Sequence, residues 1–428
     1  MMVDSFADQQ DKLRTHFGRR TFLAMSLLAP FALKRPLLQA ADDRSNLNAS
    51  RFLFTSRGKT GLASSGSGEL KYLNFDAPGQ ATWQPGPGFG DGRRVIVLSM
   101  EPRRDGPGRP FEEYYTQTPT HLWQYNLDTG SLEEICTQDR IAPFTTPALL
   151  VSDERLLIQV VKNKIGQIYS VRLDGSDAKE FTRAGEGLPY GLSLSPDRQR
   201  VAFHLASPQG YQVWTSNNDG TDRVRIAAQP GHLYFGTQWS PDGDWVLYVD
   251  CRHQNDPGHD WADVCIGRPD GSEHKVLTTG QSMWFAATYG DAATRGGGSN
   301  VPAWTHDGCI LFPQRTPDAK VAWQYRIGKP DLDHFNRDFK PEQSRGGTRI
   351  CRLDPKSGSI TALTNVTVEH PTWDFRASES SDGKQIAFCR AGVGEAPSIF
   401  VMDADGQHAR LITRGVDDMG ADHPRWIP

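Results

Sequence analysis

Apolar and polar positions alternate along most of this chain in short bursts that stop at Asp, Gly, Ser and Pro. The stretch 368–413 shows the unit. It opens with Glu369-His370-Pro371-Thr372-Trp373 and turns at Ser381-Asp382-Gly383. It continues through Ile386-Ala387-Phe388 and Ile399-Phe400-Val401-Met402, turns again at Asp403-Ala404-Asp405-Gly406, and closes on Arg410-Leu411-Ile412-Thr413. Period-two apolar runs bounded by Asp/Gly turns predict strands joined by hairpins, here four in about 45 residues. A lone four-stranded meander cannot bury both faces, so it needs neighbours of its own kind.

The chain supplies them. First turns recur at Ser195-Pro196-Asp197, Ser240-Pro241-Asp242-Gly243 and Thr305-His306-Asp307-Gly308, with weaker copies at Ser152-Asp153-Glu154 and Asp91-Gly92. Last turns recur at Asp128-Thr129-Gly130, Asp174-Gly175, Asp219-Gly220, Asp270-Gly271 and Asp354-Pro355-Lys356-Ser357-Gly358. Trp83, Trp239, Trp304 and Trp373 each precede a first turn. Complete units fall at 82–137, 145–183, 191–228, 236–278, 302–364 and 371–413. Two fragments remain. Residues 51–75 hold three strands without an opening segment, and Asp422-His423-Pro424-Arg425-Trp426-Ile427-Pro428 is an opening segment alone. Joined, they make one more unit and close a ring without free sheet edges. The expected fold is all-β: a seven-bladed β-propeller closed by pairing of the N- and C-terminal segments, one domain over 41–428.

Composition agrees with that reading and narrows the partners. Among 428 residues there are 42 glycines, 28 prolines and 11 tryptophans, a mix suited to short strands and tight turns. A net charge of -4 offers no basic field for nucleic acid. Mean hydropathy is -0.54 and there is one long apolar run, so no integral membrane protein is expected. That run, 22–33, follows Gly18-Arg19-Arg20-Thr21 and precedes Ala40-Ala41. Twin arginines before a short apolar core predict a twin-arginine export signal over 1–40, and a periplasmic or otherwise exported monomer. None of the six cysteines sits in a Cys-x-x-Cys pair, which argues against structural zinc. Buried thiols are the plainer expectation. Cys251 and Cys265, flanking one loop, are placed to bridge in an oxidising compartment.

In a four-stranded meander the first and third turns share one side. The second turns and the crossings to the next blade share the other. The Asp-Gly turns are short and belong to the first side. The insertions are second turns: 101–120, a segment around Arg252-His253, and 314–347, which carries Arg337 and Arg345. Long loops on a rigid scaffold carry function more often than tight turns do. The crossings bring Gly231-His232, Glu369-His370-Pro371 and Asp422-His423-Pro424 to that same side. Converging imidazoles suit a transition metal, or they merely cap strand starts. His274, His306 and His408 fall near the opposite turns and are expected to be solvated.

The Trp-Ser-Pro-Asp-Gly openings resemble the TolB-type propeller family, over roughly 50–428. Within 346–428 the chain also resembles oligogalacturonate lyase, a seven-bladed propeller that cleaves uronate chains by β-elimination. The shared features are Arg349-Ile350-Cys351-Arg352-Leu353-Asp354, Glu369-His370-Pro371 and Asp422-His423-Pro424-Arg425-Trp426. This resemblance implies that Arg349 neutralises a substrate carboxylate, that His370 removes a proton and that His423 binds manganese. His232 is a further candidate ligand, and Arg252, Arg337 and Arg345 are candidate substrate contacts. The chemistry needs these types. A proton next to a carboxylate becomes removable when a guanidinium or divalent cation offsets the developing enolate charge. A neutral imidazole is then a competent base. Two functions stay open: an exported lyase for uronate-containing oligosaccharides, and a non-catalytic scaffold binding a protein or glycan on the long-loop face.

Overall fold

The computed structural model describes residues 50–101, 119–137, 141–142, 146–150, 155–162, 165–207, 210–251, 261–286, 298–320, 323–325, 337–339, 343–367, 369, 371–393 and 395–428. Four of its antiparallel sheets are separate four-stranded meanders. The first joins Arg51–Ser56, Lys59–Ser64 and Leu70–Tyr72 to the last strand of the chain, Asp422–Trp426. The second runs through Thr82–Gly88, Arg94–Met100, Thr120–Asn126 and Leu132–Ile135. The third is Ala148–Leu149, Arg155–Lys162, Ile165–Arg172 and Lys179–Glu180. The fourth is Leu188–Leu194, Arg200–Ser207, Gly210–Asn217 and Val224–Ala227.

Thirteen of the strands from Tyr234–Trp239 to Arg410–Thr413 form one network instead of separate sheets, while Phe285–Ala286 with Gly298–Ser299 and Trp323–Tyr325 with Arg337–Phe339 form two hairpins apart from it. Short strand Ser282–Met283 bridges Trp261–Gly267 to Ile310–Arg315, and a parallel pairing of Thr348 with Trp373 links the next step. The expected separation of blades therefore holds for four sheets. In the rest, the segments between blades add strand pairing across the blade boundary.

The turns form where the sequence places them, for a local reason. Ser195 Oγ donates to Asp197 Oδ1 (2.6 Å) and accepts from the Arg200 amide (2.9 Å). Ser240 with Asp242, Thr305 with Asp307 and Ser380 with Asp382 repeat the device. The hydroxyl satisfies an amide that the turn leaves out of the ladder, and the Asp fixes the hydroxyl. In the last copy the working hydroxyl is Ser380, one residue ahead of the Ser381-Asp382-Gly383 motif.

Among the described residues the apolar layers lie between successive sheets. Phe181 and Phe203 pack with Leu157 and Val201 between the third and fourth sheets. Leu53, Trp83 and Val97 join the first sheet to the second. Phe52 and Phe54 pack with Trp373, Phe375 and Ile399, so the end of the chain packs against its start. First strands of successive sheets also touch in order, Leu188–Leu194 with Tyr234–Trp239 and Thr372–Glu379 with Asp422–Trp426 among them. These strands line the inside of a closed ring.

Closure rests on pairing and on polar stitches. Phe52 faces Trp426 in register, and their rings meet edge-on at 5.1 Å between centroids. Ser56 Oγ donates to the Gly420 carbonyl and accepts from the Val416 amide, and Thr55 Oγ1 reaches the Asp422 carbonyl. Five of the six cysteines, Cys251 and Cys265 among them, are buried. No described helix is long and apolar enough to cross a membrane.

Candidate functional site

Several inside strands break register near their middle. Breaks fall between Tyr190 and Ser193, between Phe235 and Gln238, between Phe375 and Ser378, and opposite Leu53 to Thr55 in the closing strand. Each is a β-bulge whose first residue takes a left-handed backbone, a position that favours glycine. Two of the four are glycine, Gly191 at φ 63° and Gly236 at φ 73°; the others are Arg376 at φ 52° and His423 at φ 56°. A Cβ at Gly191 would come within 2.9 Å of His204 Nδ1, and one at Gly236 within 2.6 Å of Val301. At the equivalent bulges of the two strands that meet at ring closure, the fold holds an arginine and a histidine in this conformation. It costs each about 1–3 kcal/mol.

Those two residues share a carboxylate. Arg376 Nη1 ion-pairs with Asp422 Oδ2, and the side chains are 7% and 15% exposed. Asp422 Oδ1 accepts the His423 amide at 2.7 Å and lies 3.2 Å from Cys389 Sγ, whose thiol is its donor. The Arg376 amide donates to Asn300 Oδ1 at 2.7 Å, and Asn300 Nδ2 donates to the Met283 carbonyl. Arg376 Nε and Nη2 are buried with no hydrogen-bond partner. The side chain of Arg425, which pairs with Leu53 through its backbone two residues beyond His423, has no hydrogen bond or ion pair among the described residues.

The charges explain the titration. Burial opposes ionisation of Asp422, but the Arg376 guanidinium and then His423 hold its carboxyl well below the usual range. Burial, then Arg376, then Arg425 push His423 down to about 4 against the pull of Asp422. Burial lowers Arg425. His423 has half of its side-chain surface open, so it is enclosed within the ring yet reachable. At neutral pH the cluster holds two guanidiniums, one carboxylate and a neutral imidazole: a net positive charge with an open side.

The residues expected from sequence are only partly gathered here. His423 sits inside the closing strand and not in the crossing before it, because pairing starts at Asp422 opposite Thr55. Arg349 lies at the start of Thr348–Leu353, where Nε and Nη2 both donate to Gln314 Oε1, at 3.1 and 2.8 Å. No described contact joins it to His423. His232 pairs locally, with Nδ1 2.9 and 3.0 Å from the two oxygens of Asp250, and stacks on Tyr234. Arg345 is exposed and bridges Lys320 through its backbone. Arg337 pairs with Tyr325 in a hairpin inside the insertion. His370 and Arg252 lie outside the described residues, as do residues 1–49. His274, His306 and His408 are all exposed, as expected; His306 and His408 pair with Glu379 and Asp403, and the His274 ring stacks on Tyr248.

The expected metal does not fit these donors. His423 is flanked by two guanidiniums, which repel a divalent cation, and His232 is committed to Asp250. Among the described residues no group of three or more His, Cys, Asp or Glu side chains could hold a metal ion. Arg376 and Arg425 were missed from sequence. Their one local signal was Asp422-His423-Pro424-Arg425 at the closing strand, and Arg376 carries no signal because a bulge is invisible without its partner strand.

No family model matches the chain, and no curated protein matches it. Solved structures do. A puromycin hydrolase is 14% identical at a TM-score of 0.54, over 86% of this chain and 53% of that one, so this chain spans about half its length. TolB from Acinetobacter baumannii is 15% identical at a TM-score of 0.46, over 88% and 81%. An oligogalacturonate lyase in complex with manganese is 13% identical at a TM-score of 0.49, over 85% of each. At these identities the likeness is one of fold alone, and it agrees with the ring of sheets: the chain is an all-β propeller of the kind these proteins share.

Proposed function

We propose that this chain is an exported, monomeric, seven-bladed propeller that cleaves uronate-containing oligosaccharides by β-elimination on its long-loop face. Seven blades follow if the 13-stranded network is divided at its two bridges into three meanders beside the four separate sheets. Residues 1–40 are its twin-arginine signal, and the periplasm is its destination.

The observation that carries the reading is the parallel pairing of Thr348 with Trp373. It sets the start of the Arg349 strand beside the start of Thr372–Glu379, the strand that begins two residues after His370 in sequence. Arg349 keeps Nη1 outside its bonds to Gln314. In the proposed reaction that guanidinium, with Arg252, Arg337 or Arg345, offsets charge on the uronate carboxylate. His370 takes the neighbouring proton, the C–H electrons form the double bond, and the glycosidic C–O bond breaks with its electron pair leaving on the oxygen, which takes a proton from water to become the released saccharide's hydroxyl. No step is assigned to a metal.

The test is absorbance of the unsaturated uronate product with mixed uronate oligosaccharides, with and without chelator. A rise that Arg349→Gln and His370→Gln abolish supports the reading; no rise on any substrate defeats it. The second reading, a scaffold that binds a protein or glycan, is favoured by the commitment of the Arg349 fork to Gln314. It predicts binding without product.

A further inference from the structure

We propose that His423 and Arg425, backed by Arg376, form a carboxylate-binding site on the inside of the ring. The inference deepens the proposed function, on which its choice of ligand rests, but it does not use the elimination residues. Three independent observations converge. Arg376 and His423 occupy left-handed bulge positions where the fourth and fifth inside strands have glycine. Unrelieved backbone strain of this kind persists where the surrounding structure has a use for the side chain. Arg376 has two buried N–H groups without acceptors, although one acidic neighbour is already bound. Arg425, two residues beyond His423 on the same closing strand, has no anionic partner among the described residues.

A buried guanidinium keeps neighbours that neutralise it. Here one carboxylate serves two guanidiniums, so the cluster is one negative charge short. Arg425 and the half-open His423 supply the contact surface, and Arg376 supplies field from behind. A ligand with a planar carboxylate can accept in parallel from a guanidinium, and its single charge completes the balance. Tetrahedral phosphate matches that fork too, so the two must be separated by experiment. A uronate sugar supplies the carboxylate with hydroxyls on either side.

The probes are galacturonate, galactose and inorganic phosphate, measured by calorimetry on the full chain at fixed ionic strength. Galacturonate is expected to bind saturably and galactose not at all. Arg425→Gln is expected to weaken galacturonate about tenfold or more, the loss of one charge-assisted contact. His423→Gln should weaken it less. Unchanged galacturonate binding in Arg425→Gln overturns the site, as does equal binding of galactose or of phosphate. No galacturonate binding to the unaltered, folded chain also overturns it. Binding without formation of unsaturated product leaves this site standing and defeats only the elimination.

Discussion

Replacing Asp422 with Asn tests the electrostatic account of ring closure most directly. Among the described residues Asp422 is the one carboxylate paired with Arg376, whose side chain is 7% exposed and whose Nε and Nη2 have no acceptor there. The variant keeps the shape, the Thr55 stitch to the backbone carbonyl and an oxygen for the His423 amide, but leaves the guanidinium buried without a counter-charge. Breaking a buried pair on one side costs about 3–5 kcal/mol. That is a large share of the 5–15 kcal/mol typical of a domain. Urea unfolding at pH 7, followed by tryptophan fluorescence, gives the loss as a fall in midpoint at unchanged slope. The double variant D422N/R376M removes both charges and should recover most of it, since a paired replacement is close to neutral. A loss below about 1 kcal/mol in D422N, or a double variant no more stable than D422N, would refute the reasoning. The pH dependence has a fixed sign. The folded carboxyl titrates below its unfolded value, so its contribution is complete above about pH 4 and lost as pH falls through the folded pKa.

Four further outcomes are expected. His423, at about 4 in the folded chain, binds its proton more readily when unfolded, so the chain should lose stability between pH 6.5 and 4; His423→Gln should flatten that part of the curve, and an unchanged slope in urea midpoints would contradict it. His204 is buried with its pKa near 3 and contributes in the same direction, so the slope should shrink and not vanish. Gly236→Ala, at φ 73° and 2.6 Å from Val301, should lower the melting temperature, whereas Gly280→Ala meets open space and should pay only for its φ of 56°. Deleting residues 422–428 removes the strand paired with Arg51–Ser56 and exposes its edge, which should appear as aggregation in size-exclusion chromatography.

The ring was readable because its determinants are local. Ser-x-Asp turns act within five residues, as Ser195 and Ser240 show, and period-two apolar runs mark their strands without reference to the rest of the chain. Ring closure was readable for a different reason: 51–75 lacked an opening strand and 422–428 was one, so only their pairing completed both. The site was less readable because it depends on register. Pattern alone placed His423 in a crossing, yet the pairing of Asp422 with Thr55 draws it into a bulge. That bulge sets it beside Asp422, the carboxylate that Arg376, 47 residues before His423 in sequence, pairs with. The same event reverses the chemistry expected of it. A histidine in a His-Pro crossing suggests a metal ligand, whereas the same histidine, held neutral by burial and then by two guanidiniums, suits the anion proposed above. Residue type therefore told which atoms were available, and the charges that register placed around them decide the sign of what they can bind.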